Sequence, residues 1–207
     1  MYGPGSRGLF APNWDFMSFA LLVLGVGSFL FHASMRQTLM LVDDLSMLLV
    51  MWSLLQATVV IRQTPAKARL ISTGLAIFFP LFSAFYIQSG MIIYQVIAFA
   101  LGLILVAART QYLYHWLQPG YPKALSQDWN FRTWKAILIC VFGYVLWNID
   151  LEFCAELRQM RAQIGLPWAW LLELHGWWHI LTAIGASGFM VVAREVRQYE
   201  ATREKFA

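Results

Sequence analysis

The stretch FMSFALLVLGVGSFLFHASMRQTLMLVDDLSMLLVMWSLLQATVVI (16–61) holds two apolar runs, 16–34 and 39–61, parted by Met35-Arg36-Gln37-Thr38. Each run matches the roughly 20 apolar residues that an α-helix needs to cross a hydrocarbon core. Runs at 70–88, 91–114 and 168–193 repeat the pattern, and a shorter one at 133–150 makes six. Of all side chains 59% are apolar and 13% charged, whereas soluble domains run near about 45–50% and 25%. A soluble fold could not hide that surface. Ten Trp, eight Tyr and fifteen Phe suit a protein whose aromatic rings collect where hydrocarbon meets water. The predicted fold is an all-α polytopic membrane bundle of six transmembrane helices, a single integral-membrane domain over 1–207.

The breaks between runs carry turn chemistry, as in Arg62-Gln63-Thr64-Pro65, Gln118-Pro119-Gly120-Tyr121-Pro122 and Gly165-Leu166-Pro167, the last setting the final helix going. Proline there removes a backbone donor. The opening Met1-Tyr2-Gly3-Pro4-Gly5 lacks the layout of a cleaved signal peptide, so the first helix is expected to be its own insertion signal. Arg7, Arg62, Lys67, Arg69, Arg109, Lys123, Arg132, Lys135, Arg194, Arg197, Arg203 and Lys205 fall on one side, and Arg36, Arg158 and Arg161 on the other. The positive-inside rule then puts the C-terminus in the cytosol and the connections near 36 and 158 towards the lumen. The net charge of +4 thus fits membrane orientation, and no nucleic-acid partner is expected. Cys140, in an apolar run, and Cys154, in the loop after it, read as structural.

Ionisable groups in membrane helices are costly and mark function by default. Ser28 and His32 lie four apart near the exit of the first helix, Asp43 and Asp44 near the start of the second, and His175 and His179 four apart near the start of the last. Residues four apart share a helix face, so three distant helices deliver rare polar groups to the lumenal half. Three imidazoles with an open position make a common catalytic zinc site, with Asp43 a candidate general base and Ser28 a hydroxyl donor to a developing oxyanion. A lone membrane histidine is more often a hydrogen-bond partner between helices than a ligand. The paired His175 and His179, with Asp43 at the same depth, favour the metal. His115, within Gln111-Tyr112-Leu113-Tyr114-His115-Trp116, reads as interfacial. Asp44 reads as a cap or the partner of a neighbour. Asp150, Glu152 and Glu156 belong to the lumenal end and loop, and Glu173 faces away from His175. Gly25, Gly27 and Gly185 read as close-packing positions.

The stretch GVGSFLFHASMRQTLMLVDDLSM (25–47) resembles the first signature of the alkaline ceramidases, and GLPWAWLLELHGWWHILTAIGA (165–186) resembles their second, in its fungal phytoceramidase form. Trp147-Asn148 and Phe153-Cys154 also match the family's approach to its last helix. The resemblance implies a seven-helix hydrolase, in a superfamily with the adiponectin receptors, that cleaves the amide of ceramide into a fatty acid and a sphingoid base. By position it implies zinc on His32, His175 and His179, a proton taken from the attacking water by Asp43, and an oxyanion stabilised by Ser28. It also implies a lipid substrate, and residence in the endoplasmic reticulum or Golgi. Two departures stand out. The family's Asp-Glu-Leu-Pro-Met is here Asp43-Asp44-Leu45-Ser46-Met47, and Asp15 is the one acidic residue before Asp43. Family members carry an earlier helix behind an acidic, calcium-binding segment, so this chain is expected to lack both that helix and the calcium site. Two other readings compete with hydrolysis: a receptor-like or inactive relative that keeps structural zinc, and a proton or metal transporter. Against the transporter, there is no inverted repeat and no broken helix pair.

Overall fold

A computed structural model describes residues 15–206, and among them every regular element is helical. The helices are α1 (Phe16–Ser34), α2 (Gln37–Val59), α3 (Pro65–Ser89), α4 (Ile92–His115), α5 (Lys123–Glu152), α6 (Cys154–Ile164) and α7 (Leu174–Phe206), with a 3-10 turn at Trp168–Leu172 before α7. All but α6 are long and apolar enough to cross a membrane. The chain is an all-α polytopic integral membrane protein.

Three helix starts depart most from the expected windows, and the last helix runs on to Phe206 rather than 193. α3 starts at Pro65 rather than 70, because proline in the first turn gives up only a donor that is orphaned anyway and Thr64 caps the helix end by accepting from the Lys67 N–H at 3.4 Å. α5 starts ten residues before the expected 133, since its polar first turns still bury Ser126 and Trp129. The last helix starts at Leu174 rather than 168, after the 3-10 turn, and Cys154 opens α6 where a loop was expected.

The described chain divides into two compact units, residues 15–121 with 193–206, and residues 122–192. In the first, α1, α3 and α4 each contact α2. Half of the α2 span is buried, against 22% for α1, 11% for α3 and 17% for α4, which makes α2 the core of this unit. Trp52 stacks on Phe79, ring centroids 5.8 Å apart, and meets Phe16 edge-on. A Cβ on Gly27 would come to 3.2 Å from Val42 Cγ1, and one on Gly102 would fall on the Met51 side chain, so both glycines let α2 approach closely. Nothing lies within 4 Å of such an atom on Gly25, which corrects its expected packing role.

One end of this unit is tied by charge. Asp15 caps α1 through the Ser18 N–H at 2.9 Å, and Arg194 grips its carboxylate in a fork, Nε and Nη2 each 2.9 Å from an oxygen. Arg197 adds a contact at 3.0 Å. Arg62 pairs with Glu200 at 2.8 Å, donates to the Pro119 carbonyl at 2.6 Å and lies 4.4 Å over the Tyr121 ring. Burial alone would lower the Arg62 pKa, but Glu200 and the nearby tyrosines outweigh it and raise it. Arg109 donates to the Ile61 carbonyl at 2.8 Å. These basic residues are among those the charge count assigns to one side.

In the second unit α5 packs on the first half of α7. A Cβ on Gly185 would collide with Cys140 Sγ and come within 2.8 Å of the Ala136 carbonyl oxygen, and one on Gly143 would sit 3.1 Å from Leu181 Cβ. Gly185 therefore has its expected packing role. α6 follows α5 after Phe153 and contacts the 3-10 turn.

Burial alone would raise the Asp15 pKa, but the Arg194 fork and the Ser18 donors hold its carboxyl well below the ordinary 3.8. A depressed folded value means that the stabilisation is complete above 3.8 and is lost as the pH falls below it. Asp15→Asn should therefore melt at a lower temperature than wild type in detergent micelles at neutral pH, with the gap closing on acidification below pH 3.8. A gap that does not change with pH would contradict this account.

Candidate active site

α1 ends at Met35, whose left-handed backbone (φ 54°) lets its N–H reach the Phe31 carbonyl at 2.6 Å, and α2 begins two residues later. So short a connection makes the two helices antiparallel neighbours and brings the end of α1 beside the start of α2. Ser28 and His32 sit one turn apart on α1, and Ser28 Oγ donates to Asp43 Oδ2 on α2 at 3.4 Å. Asp43 is buried, and the Ser46 hydroxyl donates to its main-chain carbonyl at 2.7 Å. His32 is exposed, its ring 4.9 Å from that of Phe31.

Asp44 points elsewhere, because successive helical residues are turned by about 100°. It accepts a 2.6 Å hydrogen bond from the Tyr86 hydroxyl of α3, so it pairs with a neighbour rather than capping α2, whose cap position is Arg36. Neither carboxylate faces hydrocarbon unpartnered.

In the second unit, His175 and His179 project from the first turns of α7 with ring centroids 4.8 Å apart. Trp178 between them stacks on Trp147 of α5, centroids 5.8 Å apart. Arg161 of α6 donates from Nη1 to the Leu172 carbonyl at 3.0 Å and to Glu173 at 3.2 Å, with Asp150 at 3.8 Å. Glu173 lies one residue before α7, so its expected place on the same helical wheel as His175 is corrected to one at the break between turn and helix.

Within the units, the structure brings Ser28 to Asp43 and His175 to His179. His115 ends α4 exposed beside Trp116, Asp150 and Glu152 lie in the last turn of α5, and Glu156 opens α6. Tyr86 and Arg161 carry contacts that the sequence did not single out. An aromatic hydroxyl in an apolar run looks like any belt tyrosine, and Arg161 counted only as a lumenal charge.

Fold and side chains together define an integral membrane protein with candidate metal ligands and a buried candidate base. The chain belongs to the ceramidase family, whose model matches residues 9–206. It is 29% identical over 205 residues to alkaline ceramidase YPC1 of Saccharomyces cerevisiae, covering 87% of this chain and 61% of that protein. It is 25% identical over 173 residues to alkaline ceramidase 3 of Mus musculus, covering 81% of this chain and 60% of that one. The chain thus spans about three fifths of the length of these curated relatives.

Tyr86→Phe keeps the ring and deletes the donor to Asp44, leaving a buried carboxylate short of a partner. The variant should lose about 1–3 kcal/mol of stability, read as a lower midpoint of denaturant unfolding in micelles. An unchanged midpoint would show that Asp44 does not depend on this bond.

Proposed function

We propose that the chain hydrolyses the amide of a ceramide-like lipid, releasing a sphingoid base and a free fatty acid, with zinc held by His32, His175 and His179. The observation that carries the reading is the Ser28–Asp43 hydrogen bond, one helical turn from His32, in a chain of the ceramidase family. The donor set suits the ion: neutral imidazole is a common zinc ligand, and His175 and His179, one turn apart on α7, hold their ring centroids 4.8 Å apart. When bound, zinc supplies Lewis-acid polarisation of the amide carbonyl and lowers the pKa of water.

The remaining steps fall to side chains of this chain. Asp43 accepts the proton of the attacking water as its oxygen bonds to the amide carbon. It then returns that proton to the nitrogen as the carbon–nitrogen bond breaks, leaving an amine and a carboxylic acid. Ser28 turns its hydroxyl from Asp43 to the developing oxyanion. Asp43 is suited to this work because it is buried and its carboxylate meets the Ser28 hydroxyl, a partner that lets it release and regain a proton. The acyl and sphingoid chains stay in the bilayer, with the site towards the lumen and the C-terminus in the cytosol. The gathering of Arg62, Arg109, Arg194 and Arg197 with the end of α7, away from Asp43, supports that orientation. Residence in the endoplasmic reticulum or Golgi completes the reading.

The test is fatty-acid release from ceramide in detergent micelles, with zinc content measured on the same preparations. His175→Ala should lose zinc and turnover together. Asp43→Asn should keep zinc and lose about 10²–10⁴-fold in rate. Zinc-free wild-type protein, or His175→Ala turning over at the wild-type rate, would sink the proposal. Zinc without turnover in wild type would transfer the chain to the receptor-like class.

A further inference from the structure

We propose that Arg161 is a positioning residue that sets the rotational phase of the first turns of α7, and with it the direction of His175 and His179. The inference rests on the zinc reading above. Its basis is the way α7 begins.

Glu173 follows the 3-10 turn, and its carbonyl receives the Trp177 N–H at 3.3 Å as the first helical bond of α7. The two carbonyls before it are held from outside the helix ladder. Leu171 accepts from the Trp177 indole Nε1 at 3.2 Å, and Leu172 from Arg161 Nη1 at 3.0 Å. The same nitrogen reaches the Glu173 carboxylate at 3.2 Å and lies 3.8 Å from Asp150 at the end of α5. One guanidinium, with a side chain 18% exposed, thereby joins α5, α6, the turn and the residue that starts α7.

Apolar packing does little to hold this stretch. α6 buries Leu157 and the turn buries Ala169, while Ile164, Trp168, Trp170 and Leu171 are exposed. The polar clamp therefore adds positioning at the turn itself, ahead of the packing of Trp178 and Leu181 on α5. Its consequence is geometric, because a slip of one residue at the start of α7 rotates the helix by about 100°. His175 is two residues from Glu173 and His179 one turn further, so both imidazoles swing with any such slip. A planar guanidinium that donates to a carbonyl and a carboxylate together constrains direction as well as distance, which an ammonium group does not.

The test uses the full chain in detergent micelles, with zinc affinity measured by chelator competition and ligand geometry by the visible absorption of the cobalt(II)-substituted protein. Neither readout follows from a role in folding alone, and far-UV circular dichroism checks that each variant is folded. Arg161→Met should weaken zinc binding by about 10–100-fold, as loss of a group that orients a ligand typically does, and should alter the cobalt band. Arg161→Lys should recover part of the affinity. Arg161→Met with wild-type zinc affinity and cobalt spectrum would overturn the inference and leave the zinc reading standing, whereas wild type that binds no zinc would overturn both. If Arg161→Met does not fold, Glu173→Leu removes one arm of the clamp, acceptor and charge together. It should weaken zinc binding by a smaller factor, and an unchanged affinity there would also overturn the inference.

Discussion

Two adjacent carboxylates in an apolar helix impose the constraint on which the first unit depends. An ionisable group in hydrocarbon is tolerated only where it faces protein or water and finds partners. Asp43 and Asp44 differ by about 100° in direction, so no one neighbour can serve both. Ser28 of α1 meets the first and Tyr86 of α3 the second, and α2 is thereby flanked on two sides. The rest of α2 follows suit, with Leu48, Met51, Leu54 and Leu55 buried and Gly27 and Gly102 admitting its close approach. In lipid, where apolar burial does not distinguish protein from solvent, small residues and hydrogen bonds are what can select one helix arrangement. The first unit uses both around α2.

Polar groups also sort by depth. Arginines 62, 109, 194 and 197 are engaged with Asp15, Glu200 and main-chain carbonyls at the end where α1 begins, and Ser28, His32 and Asp43 lie at the end where α1 stops. This separation follows from antiparallel α1 and α2 joined by two residues. A charged clamp ties the unit at one end, and the Ser28–Asp43 hydrogen bond ties α1 to α2 at the other. Asp15 illustrates the first role, since it is committed to a fork of arginine donors and no longer takes up protons in the ordinary carboxylate range.

The sequence revealed the spanning helices because hydrophobic length is a one-dimensional property, and the α1 window matched to the residue. Candidate site residues were legible for a related reason: Ser28 with His32, and His175 with His179, are four apart, and that spacing survives any tertiary arrangement. The start of α5 was not legible, because Lys123-Ala124-Leu125-Ser126-Gln127-Asp128 is too polar for a membrane window yet helical beyond it. α6 was missed because its 11 residues are too short and too charged to stand out from a loop. Tyr86 and Arg161 were silent because their roles come from partners 42 and 11 residues away, a separation no local pattern records.

The departure at Ser46 places a hydroxyl where the resembling motif has a proline. In the alkaline ceramidases that the motif resembles, proline stands at this place, where it deletes the N–H that would bond four residues back and bends the helix. Ser46 restores that N–H but sends its hydroxyl back to the Asp43 carbonyl at 2.7 Å. Such back-bonding competes with the helix ladder and itself bends helices slightly. It acts on the carbonyl of the residue whose carboxylate meets Ser28, and on the side of α2 that faces Gly27, where Ser46 Oγ is 3.6 Å from the place a Cβ would take. In place of the proline, Ser46 therefore contributes a hydrogen bond to the Asp43 carbonyl. The bond secures Asp43 from its main-chain side while Ser28 holds it from the other.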